Sequence, residues 1–505
     1  MGRYYATQAT ASKLFYMSGE VRGRTEERGP GDLMTFDLEE EEAELFASGV
    51  QGYMVSNSAS KVVLAMEGQN LHVVDAGSPP GGSLGEHRVD LSGIVLELHP
   101  REEWKQIYHE AWRRMRDRYW DEDMGGLDWK GIRDQYAALL PRLSSRDDLS
   151  DLIGEVIGEL STSHTYVWGG DPGVRTPRVG VGMLGADLVR EGDALRVARI
   201  YRGGDADNVV SPLRVPGVDV KEGEYILAVN GLPVPADRAV HAAFEGLLGK
   251  DVLLTVAADA AGETDRRDVV VTPTGNERRL RYADWVRVNR EYVDEKTGGK
   301  IGYVHVPDMG TDGLVAFNTW FYPQTDKEGM VVDVRWNGGG NVSSILLERL
   351  RRPILAWDRT RAGNLDTYPG PALNGPFVVL LNEHAGSDGD IFPRAVQLEG
   401  LAPIIGQRSW GGVIGINIMK TMVDGGVVTT PFSAWWDKDM GWGLENHGVD
   451  PDIEVQNLPQ ELARGIDAQL DAGIEEVLRL HREHPPIKPD FERVRDRSRD
   501  AYRGE

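Results

Sequence analysis

Cysteine is absent from this 505-residue chain. Its absence excludes disulfide staples, thiol nucleophiles and cysteine-ligated zinc, and it fits a reducing interior. Long apolar runs are missing too. None approaches the ~20 residues that a helix needs to cross a bilayer, so no membrane partner is expected. The first residues, MGRYYATQATASKLFYMSGE, lack the apolar stretch of a secretory leader, and a cytoplasmic location is the expectation. Basic residues are in the minority, with 56 Lys and Arg against 80 Asp and Glu and a net charge of −24. A phosphate backbone needs a basic surface, so nucleic acid is not an expected partner, whereas cationic peptides would be attracted over long range. No metal and no cofactor are expected.

What is present suggests three or four domains, with 40% hydrophobic residues to fill their cores. Residues 1–95 have the rhythm of short antiparallel strands, as in LMTFDLEEEEAELFASGV and YMVSNSASKVVLAMEGQNLHVVDAG. At ~40–45 residues per β-propeller blade, this is about two blades, too few to close a ring of at least ~4. A small two-sheet cap is the alternative. Residues 96–175 are helical. Trp104, Ile107, Tyr108, Ala111, Trp112, Met115 and Tyr119 form one apolar stripe, and Ser145 is a candidate cap for the helix over SRDDLSDLIGEVIGEL. Residues 176–275 resemble a PDZ domain through RVGVGMLGADLV and VKEGEYILAVNGLPVP, with Glu224 where Asp is usual and a helix expected over AVHAAFEGLLGK. Such a module either binds chain ends by strand addition or serves as a structural hinge. Residues 276–482 alternate strands and helices in the manner of an α/β sheet domain, and 483–505 form a charged tail.

Four segments carry candidate chemistry. In NEHAGSDGD, residues 382–390, a strand ends in a Gly-Ser turn and a helix begins at once. That geometry lifts Ser387 beside the free N–H groups of a helix start, in the manner of a nucleophile elbow, although the letters are not G-x-S-x-G. Alone it reads equally as a turn serine. In STSHTYVWGG, Ser163 and His164 sit where an amphipathic helix stops, and a histidine there can be a base or a capping residue. In VVDVRWNGGGN, a strand breaks into Gly338, Gly339 and Gly340, which let the backbone approach a ligand and offer N–H groups to an oxyanion, or form a plain flexible loop. In GWGLENHGVDPDIEV, Glu445 either orients a histidine or is one more solvated carboxylate.

Taken together, the order and spacing of these segments resemble the catalytic half of the tricorn protease family, relatives of the carboxy-terminal processing proteases, over residues ~13 to ~480. The resemblance implies a multidomain α+β and α/β chain with partial β-propeller blades, a helical domain, a PDZ-like domain and a crotonase-like α/β catalytic domain. It implies a serine peptidase acting on short peptides downstream of larger proteases. Ser387 would be the nucleophile and His164 the base, with Ser163 and Glu445 completing a tetrad. The backbone of Gly340 and Asp388 would form the oxyanion hole, and Gly339 and Asp358 would contact substrate. The Asp358 carboxylate, lent by a neighbouring subunit, would favour basic residues before the scissile bond; otherwise Asp358 is a surface acid paired with Arg359 or Arg361. A hexamer is the implied assembly. The processing proteases use a lysine base about two dozen residues after the serine, and here GQRSWGGVIGI has none before Lys420. A Ser-Lys processing protease and a catalytically silent scaffold binding peptide ends remain the alternatives.

Overall fold

The alternation seen in QNLHVVD and its neighbours folds, in the computed structural model, into two antiparallel sheets. The structure describes residues 3–19, 31–81, 83–95, 97–173, 177–204, 209–363, 365–418 and 421–491; Lys420 and the tail beyond 491 lie outside them. Strands Arg3–Ala9, Lys13–Gly19, Gly31–Asp37 and Ala43–Val50 form a four-stranded meander, and Gly52–Val55, Lys61–Met66 and Asn70–Asp75 a three-stranded one. Phe15, Leu33, Phe46, Val62 and Leu64 fill their shared core. Met1–Pro100 form one compact unit and Arg101–Glu505 a second.

In the second unit, the helix Pro100–Arg118 buries Ile107, Tyr108, Ala111, Trp112 and Met115, the stripe that its spacing predicts. The helix Arg146–Gly158 is nucleated by a capping box. Ser145 Oγ accepts the Asp148 N–H at 3.1 Å, and Asp148 Oδ2 accepts the Ser145 N–H at 3.1 Å. Trp112 of the first helix stacks on Trp129, the first residue of the helix Trp129–Ala137, and the two exchange indole-to-carbonyl hydrogen bonds.

The PDZ-like segment is an antiparallel sheet in the order Arg267–Val271, Val252–Ala257, Tyr225–Val229, Ala194–Ile200, Ala186–Glu191 around Leu195, Val197, Ile226, Phe244 and Leu254. The helix expected at AVHAAFEGLLGK is only a short 3-10 turn, Val240–Phe244. Gly246 and Gly249 adopt positive φ and stop it, and the chain pairs instead with residues 180–182 through Gly182 N–H to Phe244 O and Gly246 N–H to Gly180 O.

The α/β domain is built on five parallel strands in the order Ile301–His305, Gly329–Asp333, Phe377–Leu381, Ile404–Gly406, Ile453–Glu454. The first three are buried along their whole length, as continuous apolar strands must be when both faces are covered. Val331, Val378 and Leu380 face the helices Arg278–Thr297 and Ala468–Glu483; Met330, Val332, Val379 and Leu381 face Thr311–Phe321, Ser343–Leu350 and Asp388–Leu398. Loops leaving the carboxyl ends of such strands are where open α/β sheets place their sites. Among the described residues no helix is long and apolar enough to cross a membrane.

Candidate active site

The strand Phe377–Leu381 leads into a tight turn, and the helix Asp388–Leu398 starts directly after Ser387. Ser387 has φ 60° and ψ −125°, a conformation that L-residues adopt only where the surroundings enforce it. Its hydroxyl makes no capping hydrogen bond to its own helix, unlike an ordinary serine at an N-cap. The turn is braced by Gly386 N–H to Asn337 O at 3.0 Å and Ala385 N–H to Asn382 O at 3.0 Å.

Asn337 belongs to the neighbouring strand end and is fully buried. Its Oδ1 accepts the Gly339 N–H at 2.9 Å and its Nδ2 donates to Val306 O at 2.8 Å, so one side chain holds the glycine run against the serine turn. Gly340 has φ 151°, and a Cβ there would fall 2.0 Å from Met309 O. The Asp388 N–H, at the first helical position, has no acceptor within its own helix. The Asp388 side chain serves a neighbouring helix: it accepts the N–H of Ser343 at 3.0 Å and a hydrogen bond from the Ser343 hydroxyl, capping Ser343–Leu350.

His164 comes from the turn after Arg146–Gly158, with φ 60°. Thr429 Oγ1 donates to its carbonyl at 2.6 Å, and strand Val167–Trp168 pairs with Val427–Ser433, which fixes the turn against the α/β domain. Ser163 Oγ lies 3.0 Å from His164 Nδ1 and donates to Glu445 Oε2 at 3.1 Å, while the Ser163 N–H donates to Oε1 at 2.7 Å. Val413 N–H also donates to Glu445 Oε2, at 2.8 Å. Burial lowers the His164 pKa, and the Glu445 carboxylate pulls in the opposite direction. The net effect favours the neutral imidazole, the form able to accept a proton.

No hydrogen bond joins Ser387 Oγ to His164 among the described residues. The two are connected through Trp410, whose ring centre is 5.2 Å from that of His164 and whose backbone N–H donates to Ala385 O at 2.9 Å. Catalytic contacts tighten only when substrate is bound in many hydrolases. A recess of about 500 Å³ opens beside them, lined by Gly158, Ser161, Thr162, Ser163, Trp410, Gly411 and Asn446. A larger recess, about 660 Å³, is lined by Phe377, Arg394, Leu480 and His484 and holds none of the expected site residues.

The structure thus brings Ser163, His164 and Glu445 into direct contact and Gly339 against Ser387. It does not bring Asp358 to them within the chain. Asp358 is exposed on the hairpin Ala356–Arg359 and Leu365–Tyr368, directly opposite Asp366. Arg359 lies over the Phe491 ring instead of pairing with Asp358. Asp437 and Asp450, the other acids near Glu445, are engaged elsewhere, with Arg394 and with His447 and Arg408. Sequence reasoning missed Asn337, Asp390 and Trp410.

Three family models match the chain: the tricorn protease C1 domain at residues 100–158, the tricorn protease PDZ domain at 182–276 and peptidase family S41 at 300–455. The chain is 41% identical to tricorn protease homolog 1 of Streptomyces coelicolor over 483 residues, covering 93% of this chain and 44% of that protein. It is 32% identical to the tricorn protease of Thermoplasma volcanium over 450 residues, covering 89% and 43%. A crystal structure of the tricorn protease superposes with a TM-score of 0.80 at 32% identity, covering 94% of this chain and 46% of that one. The chain therefore spans less than half the length of these relatives.

Proposed function

Because this chain belongs to the tricorn protease family, we propose that it is a serine peptidase that hydrolyses short peptides through Ser387, His164, Ser163 and Glu445. The observation that carries this reading is the Ser163 hydroxyl held between His164 Nδ1 and Glu445, together with a serine at positive φ on a strand-to-helix turn. A serine hydroxyl is scarcely ionised near neutrality and needs a base. His164 Nε2 takes the Ser387 Oγ proton as Oγ adds to the scissile carbonyl. The tetrahedral oxyanion forms between the amides of Gly340 and Asp388, each such donor typically contributing about 3–4 kcal/mol to lowering the barrier. The imidazolium then gives its proton to the leaving amine, and water repeats the sequence on the acyl-enzyme. Ser163 relays the orienting effect of Glu445 to Nδ1, which fixes the tautomer that leaves Nε2 free.

Substrates are peptides of the kind larger proteases release, with a basic residue before the scissile bond favoured by Asp358 of a neighbouring copy. Assembly into a homo-oligomer, a hexamer, would follow from that sharing, and a cytoplasmic location suits such substrates. The test is a fluorophosphonate probe with the modified peptide located by mass spectrometry, beside a fluorogenic peptide panel on wild type and Ser387→Ala. Labelling at Ser387 and turnover that vanishes in the variant support the reading. A chain that neither labels nor cleaves is a peptide-binding scaffold.

A further inference from the structure

We infer that Asp390 is a positioning residue, locking the segment Ser409–Val413 across the site and through it fixing His164 and Glu445 relative to the Ser387 turn. The inference rests on the reading of Ser387 as nucleophile. Asp390 lies in the first turn of the helix that begins after Ser387 and is completely buried. Its Oδ1 accepts the Gly411 N–H at 2.8 Å and its Oδ2 accepts the Gly412 N–H at 3.1 Å. The hydroxyl of Ser409 and the backbone N–H of Ser387 also face this carboxylate. A buried carboxyl group without such donors is costly, and burial does push its pKa up against them.

Two consequences follow from this placement. The first is local. At a helix start an acid at the third position can reach back to the N-cap N–H, the acidic half of a capping box. Asp390 stands at that position, and the Ser387 hydroxyl, which would ordinarily supply the other half, is left out of capping. The hydroxyl is free for chemistry.

The second reaches across the site. Trp410 donates its backbone N–H to Ala385 O, and its indole lies so close over Gly386 that a Cβ there would fall 2.6 Å from Cε3. The same ring stands 5.2 Å from His164. Gly411 O accepts the Asn446 N–H at 2.7 Å, next to Glu445, and Val413 N–H holds Glu445 Oε2. One five-residue segment therefore touches the nucleophile turn, the base and the acid, and Asp390 grips it at two consecutive amides.

Asp390→Asn tests this at constant volume, because one carboxamide oxygen replaces two acceptors and its NH2 opposes an amide donor. Misplacing catalytic groups by a fraction of an ångström to an ångström costs up to about 100-fold, so kcat should fall by about 10- to 100-fold. KM should stay within about threefold, since no group that binds peptide is removed. In a Glu445→Gln background the same change should cost less than about threefold more, because both act through one segment. Trp410→Ala removes a ring that is half exposed, outside the buried core, and should also lower kcat at least about 10-fold. Folded Asp390→Asn with kcat within about twofold of wild type, or full additivity with Glu445→Gln, overturns the inference. If Asp390→Asn does not fold, Trp410→Ala decides it, and wild-type kcat there overturns it. Turnover by Ser387→Ala would instead sink the nucleophile reading, whereas an inactive Ser387→Ala beside a fully active Asp390→Asn sinks only this inference.

Discussion

Gly339 lies directly against Ser387: a Cβ on Gly339 would stand 2.4 Å from the Ser387 Cβ and 2.9 Å from its hydroxyl. Gly339 also has φ +80°, where an added side chain is strained whatever the space. Gly339→Ala is therefore expected to fold with a stability loss of about 1–3 kcal/mol. Activity should fall much further, because the contact is with the proposed nucleophile itself. Thermal unfolding and kcat/KM measured together separate the two effects. Gly338→Ala is the control, since a Cβ there meets nothing within 4 Å. Unchanged kcat/KM in Gly339→Ala would show that the glycine run does not shape the site.

Ser387→Ala and His164→Ala should each abolish peptide cleavage, and the double variant should be little worse than either. Groups that act as a unit lose their effect together. The measurement is single-turnover cleavage of a fluorogenic peptide by all three proteins. Clear turnover by Ser387→Ala, or losses that multiply, would mean that the serine and histidine do not work as a pair.

Glu445→Gln keeps the shape of the group that Ser163 contacts but removes its charge, so kcat should fall while the fold persists. The pH dependence carries a second signature. Burial lowers the His164 pKa and the Glu445 charge raises it. A base must be neutral, so the acid limb of kcat/KM should lie below the ordinary histidine value of about 6.5. Removing the carboxylate should move that limb to still lower pH. Stability follows the same sign: the unfolded chain binds the proton more readily, so this contribution is intact above about 6.5 and is lost as pH falls from there through the lower folded value. An acid limb that moves upward in Glu445→Gln would mean that another carboxylate serves His164.

The parts of the candidate site that were legible in the sequence are those where a periodic element gives way to a polar or glycine-rich turn. Ser163 and His164 follow the apolar spacing of Leu149 to Leu160, Ser387 follows a buried strand, and Glu445 sits between Gly443 and Gly448. What stayed hidden depends on contacts between distant residues. Nothing in SWGG marks Trp410 as the ring on His164, because that contact spans the whole PDZ-like insertion. Nothing before the glycine run marks Asn337 as buried, because its role depends on Val306 and Gly386 meeting it. Asp390 did carry a signal, an acid three residues after a serine at a helix start, which is the spacing of a capping box. The missing PDZ helix has a local cause that was also readable: two glycines, Gly246 and Gly249, close behind the expected start.

Asp358 offers the sharpest test of specificity. It stands directly across the hairpin ladder from Asp366, both exposed, with no ion pair to either among the described residues. Like charges opposite each other on a strand pair repel, and a cation placed between them relieves that cost. If a neighbouring copy brings this hairpin to the Ser387 cleft, the arginine or lysine before the scissile bond is that cation. Substrates with a basic residue there should then be preferred over aromatic ones, and Asp358→Asn should lose the preference more than it loses general activity. A carboxylate pairing with guanidinium away from solvent discriminates well, whereas an exposed pair contributes about 0–1 kcal/mol. The net charge of −24 complicates kcat/KM, because it raises the encounter rate of every cationic peptide. Salt separates the two contributions: it screens long-range steering and spares a close, desolvated pair. The measurement is kcat/KM for basic and aromatic peptides at low and high salt, on wild type and Asp358→Asn, with the assembly state followed by light scattering. A preference that vanishes with salt in the wild type, or that persists unchanged in the variant, places Asp358 outside the pocket.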